Sequence, residues 1–397
     1  MIKVAAILDN QIKVGGGFNQ ALNAIAQMQR LSQDQFIFEV LTTNKENISL
    51  LNRLGIEAFC VRISILDKIL IKLSQNNLWQ SLQSRLKIIG SLEKKLLYKG
   101  FDLVYFVTPS NLCLALQKIN YIATLWDLCH RENPEFPEVR NFGEFFSREK
   151  AFRNIFGPAL VTLTESNSLA NMASQYYGIE RNRFLAMPLT PSPFLSALQS
   201  TNNSEVLEKY RIKSGYFFYP AQFWAHKNHM RILQALVALR QRNNWFPVAV
   251  FSGTDCGNKN HVINFVKNNN LESQVIILGF VPPEDMRALY ENSIAVVMPT
   301  YFGPTNLPPL EAWSLGIPLI YSAQLASHAG NAALLVDPDS IDDLVNAMKL
   351  CKSQELRSVL IKAGYQQLDN INQHRKNAEI ELLELIKKFT LRRGCWT

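Results

Sequence analysis

Short apolar runs alternate with segments of helical period along nearly the whole chain. In the first half the strand-like runs are Ile2–Leu8, Phe36–Thr42, Leu103–Val107, Ile122–Trp126, Leu160–Thr164 and Phe184–Leu189. In the second half they are Tyr216–Tyr219, Val248–Ser252, Val275–Gly279, Ala295–Pro299, Leu319–Ser322 and Ala333–Val336. Between them Phe18, Leu22, Ile25 and Leu31 fall on one helical face, as do Met230, Leu233, Leu236 and Leu239. Strands alternating with helices predict parallel sheets covered on both faces, an α/β fold.

The alternation breaks once, in PSPFLSALQSTNNSEVLEKYRI at 191–212, before a new strand starts near Gly215. That break predicts two doubly wound, Rossmann-like domains of similar size: 1–195, a linker at 196–213, and 214–375. Residues 376–397 hold an amphipathic helix, Ala378–Leu391, expected to cross back to the first domain. Such sheets bind ligands at the carboxyl ends of their strands, so two of them facing across a cleft suit a nucleotide and a second substrate.

Composition narrows the class. The 397 residues are 47% hydrophobic and 19% charged, ordinary for a globular chain and outside the ranges of disordered or collagen-like sequences. No run approaches the roughly 18 apolar residues of a membrane span. The start, MIKVAAILDN, reads as a first strand and not as a signal peptide. Lys plus Arg number 41 against 33 Asp plus Glu, and the formal +8 points to anionic partners. Eight basic residues (Arg62, Lys68, Lys72, Arg85, Lys87, Lys94, Lys95, Lys99) fall between 62 and 100 against Asp67 and Glu93, interleaved with Leu and Ile. This stretch is a solvated helix pair or a contact with an anionic membrane face; it lacks the interleaved aromatics of a nucleic-acid groove, and no nucleic acid is expected. The six cysteines are scattered, which argues against zinc and disulfides and for a cytoplasmic location.

Candidate chemistry gathers at predicted strand ends. Gly15, Gly16 and Gly17 precede the first helix, where backbone N–H groups are open to a phosphate. The strand from Tyr216 delivers Gln222, Trp224, His226, Lys227 and Asn228, and Lys227 offers a point charge to a phosphate. PTYFGPTNLPPLEAWSLGIPLI, 299–320, is a strand end, a loop and a helix whose N-terminus carries Thr305, Asn306 and Leu307, with Pro308 and Pro309 in its first turn. Glu311 lies one turn inside, placed to accept from ribose hydroxyls. Gly253, Thr254, Phe280 and Val281 end neighbouring strands and are candidates for contact with a base. In the first half Asp127 and His130 follow a strand end and are candidates to orient a sugar.

The second half resembles the GT-B glycosyltransferases of family 4, the group 1 retaining transferases, through KNH at 227–229, LGFVPPEDM at 278–286, GPTNLPPLEAWSLGIPLI at 303–320 and NAALLVDPDS at 331–340. The first half is a looser match, carried by GGGFNQAL at 15–22 and LWDLCHRENPEFPEV at 125–139. The resemblance implies a GT-B fold and retaining transfer of a hexose from a UDP- or GDP-sugar to a glycan or lipid-linked acceptor. It implies that the nucleotide sugar is a substrate, with no cofactor, and metal independence is expected. Lys227 matches the family's diphosphate lysine and Glu311 its ribose-binding glutamate. Gln222 stands where the family has Arg, Gly303 where it has the glutamate that contacts the donor sugar, and Trp126-Asp127 where a His-Asp pair is common. Two other readings follow from these departures and the two-domain pattern: a catalytically inactive sugar-nucleotide or glycan-binding subunit, and a non-hydrolysing sugar-nucleotide epimerase.

Overall fold

The computed structural model describes residues 1–9, 16–74, 88–192, 195, 203–303 and 306–396. Among them the first half forms a seven-stranded parallel sheet, β1 (Lys3–Leu8), β2 (Ile37–Thr42), β3 (Ala58–Cys60), β4 (Leu103–Phe106), β5 (Asn120–Leu125), β6 (Val161–Thr164) and β7 (Phe184–Ala186). Its order is β3-β2-β1-β4-β5-β6-β7. The second half forms a six-stranded parallel sheet, β8 (Tyr216–Pro220), β9 (Ala249–Ser252), β10 (Val275–Gly279), β11 (Ser293–Met298), β12 (Leu319–Ser322) and β13 (Leu334–Val336), in the order β10-β9-β8-β11-β12-β13.

The strands are apolar without alternation because both faces are covered. Tyr216, Phe217, Phe218 and Tyr219 of β8 are all buried, as are all four residues of β4. β3 is a strand that hydrophobic patterning missed. It has three residues, pairs only with β2 at the sheet edge, and leaves Phe59 exposed, so no period had room to develop. The C-terminal helix is also longer than its amphipathic part, running unbroken from Gln354 to Arg393.

The chain packs into two compact units. One comprises 1–131, 142–189 and 374–397; the other comprises 132–141 and 190–373. A division by packing therefore differs from one drawn at 191–212: a ten-residue segment of the first half, 132–141, belongs to the second unit. In each sheet the strand order reverses beside a central strand, between β1 and β4 and between β8 and β11. Chains leaving adjacent strands there turn in opposite directions and open a crevice at the carboxyl ends.

Candidate functional site

In the second unit the crevice lies between the segments that follow β8 and β11. After β8 the chain enters a 3₁₀ turn, Ala225–Lys227. Asn228, left-handed at φ 55°, then starts the helix His229–Asn243. Asparagine tolerates that conformation, and its amide donates to the carbonyls of Pro299 (3.1 Å) and Pro338 (2.9 Å). After β11, Asn306 is the N-cap of the helix Leu307–Ser314. The structure brings the two segments together: Lys227 Nζ donates to Asn306 Oδ1 at 3.0 Å, while Asn306 Nδ2 donates to Gly303 O (2.8 Å) and Tyr321 Oη (3.0 Å). A cation at a helix N-terminus opposes the helix dipole, whereas an anion held there satisfies both.

Glu311, one turn further, is buried and accepts from Tyr290 Oη at 2.5 Å. Burial pushes its carboxyl up to about 7, against the lowering effect of the Tyr290 hydroxyl and the Ser192 backbone. Gln222 is exposed; its Nε2 donates to Thr254 Oγ1 at 3.1 Å, and its Oε1 accepts from Trp224 Nε1 at 3.1 Å, so the ends of β8 and β9 are tied. A Cβ on Gly253 would lie 2.3 Å from the Ala221 carbonyl oxygen, so only glycine lets the two strand ends approach. Phe280 is exposed after β10, and Val281 is buried. Thr305, like Gly15, lies outside the described residues. At Gly303, φ is +113° and a Cβ would lie 2.8 Å from Asn306 Oδ1, so a side chain there would press on the amide that receives Lys227.

In the first unit the crevice after β1 and β4 is a cavity of about 510 Å³, lined by Asp9, Ser110, Trp126, Asp127, Arg148 and the apolar flank of the helix Glu144–Phe156 among others. Asp9 accepts from Thr108 Oγ1 at 3.1 Å and is in short contact with Ser110 Oγ. Asp127 Oδ1 accepts from Arg148 Nη2 at 2.6 Å and from the Cys129 amide at 3.1 Å. Burial would raise the Asp127 carboxyl, but Arg148 and Cys129 together hold it below its usual value. Gly16 and Gly17 open the helix Gly16–Leu31, and a Cβ on Gly17 would lie 3.0 Å from the Trp126 ring. His130 does not line the cavity. It is fully buried, its Nε2 2.9 Å from Glu149 Oε1, in a cluster where Arg131 binds both Glu149 oxygens and Tyr177 Oη donates to Oε1. Burial and the nearby Arg148 charge lower the His130 pKa, so the ring is a neutral internal partner of Glu149.

Asp9, Ser110 and Arg148 were invisible to sequence reasoning. Asp9 follows β1, Ser110 follows β4 and Arg148 sits on the helix Glu144–Phe156 after β5, and only the packing of these segments collects them. Among the described residues no cluster of three or more His, Cys, Asp or Glu side chains is arranged to hold a metal ion, and no helix is long and apolar enough to cross a membrane.

Residues 203–367 match the family model of the glycosyl transferases group 1. The matched region contains Lys227, Gly253, Asn306 and Glu311, so the family signature and the crevice coincide. The chain is 26% identical over 197 residues to O-antigen chain mannosyltransferase B of Escherichia coli, covering 49% of this chain and 52% of that protein. It is 26% identical over 155 residues to the O-antigen chain mannosyltransferase RfbU of Salmonella typhimurium, covering 38% and 42%. The matches thus span about half the length of those relatives or less. Over whole chains, the HepE protein of Anabaena, solved with UDP-glucose, superposes with a TM-score of 0.71 at 14% identity, covering 99% of this chain and 100% of that one. A glycosyltransferase from Rickettsia africae superposes at 0.69 with 14% identity over 98% and 99%. The fold is GT-B: two Rossmann-like parallel-sheet domains.

Proposed function

We propose that this chain is a metal-independent, retaining glycosyltransferase of family 4 that moves a hexose from a UDP- or GDP-sugar to a hydroxyl of a glycan or lipid-linked saccharide precursor, on the cytoplasmic side. The observation that carries the reading is the meeting of Lys227 with Asn306 at a helix N-terminus in the β8–β11 crevice. The group 1 match over the same residues supports it, as do relatives named O-antigen mannosyltransferases and a structural neighbour solved with UDP-glucose.

In this reading Lys227 and the N–H groups at Thr305, Asn306 and Leu307 hold the diphosphate, with Gln222 beside them, and Glu311 takes the ribose hydroxyls. Gly253, Thr254, Phe280 and Val281 border the base. Asp9, Ser110 and Asp127 are acceptors for the hydroxyls of a saccharide in the first unit's cavity. Transfer breaks the bond from the sugar's anomeric carbon to the diphosphate and forms one from the acceptor oxygen on the same face; the acceptor proton goes to the departing phosphate oxygen. The protein's part is positioning, and neutralising the charge that develops on the diphosphate. A second reading, a subunit that binds sugar nucleotides without turning them over, is favoured by one observation: position 303 cannot carry a side chain without displacing Asn306.

The test is a thermal-shift screen with UDP, GDP, ADP and dTDP sugars, followed by assay with acceptors. A nucleotide-specific rise in melting temperature is expected in the native chain. Lys227→Ala should weaken nucleoside diphosphate binding by about 1.5–3 kcal/mol, the size of a charge-assisted contact. Wild-type affinity in that variant would rule the role out. Turnover that keeps the donor's anomeric configuration and survives EDTA distinguishes the enzyme from the binding subunit.

A further inference from the structure

We infer that Glu138 is a positioning residue for the diphosphate site: it holds Lys227 in place through His226. The inference rests on the reading of Lys227 as the diphosphate ligand. Glu138 lies in the ten-residue segment, 132–141, that belongs to the second unit although it precedes the rest of that unit in sequence. Its side chain is only 8% exposed. Glu138 Oε1 accepts from the backbone N–H of His226 at 3.0 Å and is in short contact with His226 Nδ1.

The other groups of His226 are also fixed. Its carbonyl accepts from the Tyr301 N–H (2.9 Å) and Thr300 Oγ1 (3.2 Å), and its ring stacks on Phe302 at 3.9 Å between centroids. Phe136, two residues before Glu138, packs edge-on to Phe302. On the far side of Lys227, Tyr219 Oη donates to the Lys227 carbonyl at 2.7 Å, and the Asn228 side chain is bonded to two carbonyls. The backbone of Lys227 is thereby clamped from both sides, and its stem already ends on Asn306 Oδ1, so little remains to be ordered when an anion arrives. Such pre-ordering raises affinity without adding a contact to the ligand.

The carboxylate suits this task. Burial would raise its pKa, but the His226 ring and backbone donors hold it low, so it stays an acceptor. Its other oxygen, Oε2, is buried without a hydrogen-bond partner. All its hydrogen bonding to His226 is therefore on Oε1, and a glutamine, with an amide nitrogen replacing Oε2, keeps the clamp.

The experiment is a double-mutant cycle on the full chain, titrating UDP, GDP, ADP and dTDP calorimetrically. Glu138→Ala should weaken binding of the preferred diphosphate about tenfold, and Glu138→Gln should restore it to within about twofold of the native value. In a Lys227→Ala background, Glu138→Ala should cost no more than about a further twofold, because the group it positions is gone. Melting temperatures without nucleotide monitor folding, and a merely structural role would move those alone. If the alanine chain does not fold, His226→Phe, which keeps the stack on Phe302 and loses the ring nitrogen, enters the same cycle with a few-fold weakening expected. Full additivity, or an unaffected Glu138→Ala beside a weakened Lys227→Ala, overturns the positioning role and leaves the diphosphate reading standing. No diphosphate binding by the native chain, or no effect of Lys227→Ala, overturns both.

Discussion

In the proposed reading Glu311 joins ribose binding to stability. Its carboxyl, buried against Tyr290, titrates near 7 in the folded chain, well above the ordinary 4.5 of the unfolded state. Between those values the folded chain holds a proton that the unfolded chain has released. The resulting stability is therefore fully present below pH 4.5 and is lost as pH rises through about 7. Glu311→Gln removes the titration and still accepts from Tyr290. Denaturant unfolding should then show the variant gaining on the native chain by on the order of 2–3 kcal/mol as pH goes from 5 to 8. Ribose hydroxyls favour the ionised form, so the same variant should bind nucleotide more weakly at pH 8. A pH-independent stability difference would mean that the carboxyl is not the titrating group.

At the scale of elements, the basic stretch after Arg62 has a surface that its sequence understates. Ser64 and Asp67 form a reciprocal cap at the start of the helix Ile65–Leu73, and Asp67 Oδ1 also accepts from the Leu92 N–H at 3.1 Å. Glu93, in the helix Ser91–Tyr98, accepts from the backbone N–H groups of Gln117, Lys118 and Ile119. Both acids are thus fully buried, while Arg62, Lys68, Lys72, Lys94, Lys95 and Lys99 stay exposed beside Ile65 (77% exposed), Ile69 and Tyr98. The acids are withdrawn from the surface, and exposed apolar side chains accompany the basic ones. At about 1 kcal/mol per basic residue near an anionic bilayer, Lys94→Gln, Lys95→Gln and Lys99→Gln together should cost about two decades of affinity for acidic liposomes. Raised salt should mimic them. Sedimentation of the native chain that is indifferent to acidic lipid at low salt would reduce the stretch to a solvated face.

At the scale of the whole molecule, the chain crosses between its units at 131/132, 141/142, 189/190 and 373/374, the last inside the unbroken helix Gln354–Arg393. Each unit has its own sheet, and the group 1 match lies wholly within the second. Calorimetric unfolding is expected to show two transitions, of which a saturating nucleoside diphosphate raises one. At a hundred times the dissociation constant the gain is about 2.7 kcal/mol for the unit that binds. A single two-state transition, or equal shifts in both, would contradict this assignment.

What the sequence by itself determined is what local chemistry decides. Continuous apolar runs mark strands buried on both faces, and β4 and β8 lie where the runs Leu103–Val107 and Tyr216–Tyr219 predict them. Pro308 and Pro309 mark a helix start, and Asn306 is found as its N-cap. Position at a strand end or in a helix's first turns, together with the family resemblance, nominated Lys227, Asn306 and Glu311. The three-residue β3 was too short to carry a period, and His130 at a strand end looked available until packing buried it against Glu149. Only the tertiary structure decided which distant groups meet: Glu138 with His226, Asp127 with Arg148, Tyr290 with Glu311, Lys227 with Asn306. Those encounters depend on strand order and on which segment packs into which unit, and neither leaves a periodic trace along the chain. They also depend on burial, which turns a glutamate in a helix into an acid that titrates near neutrality.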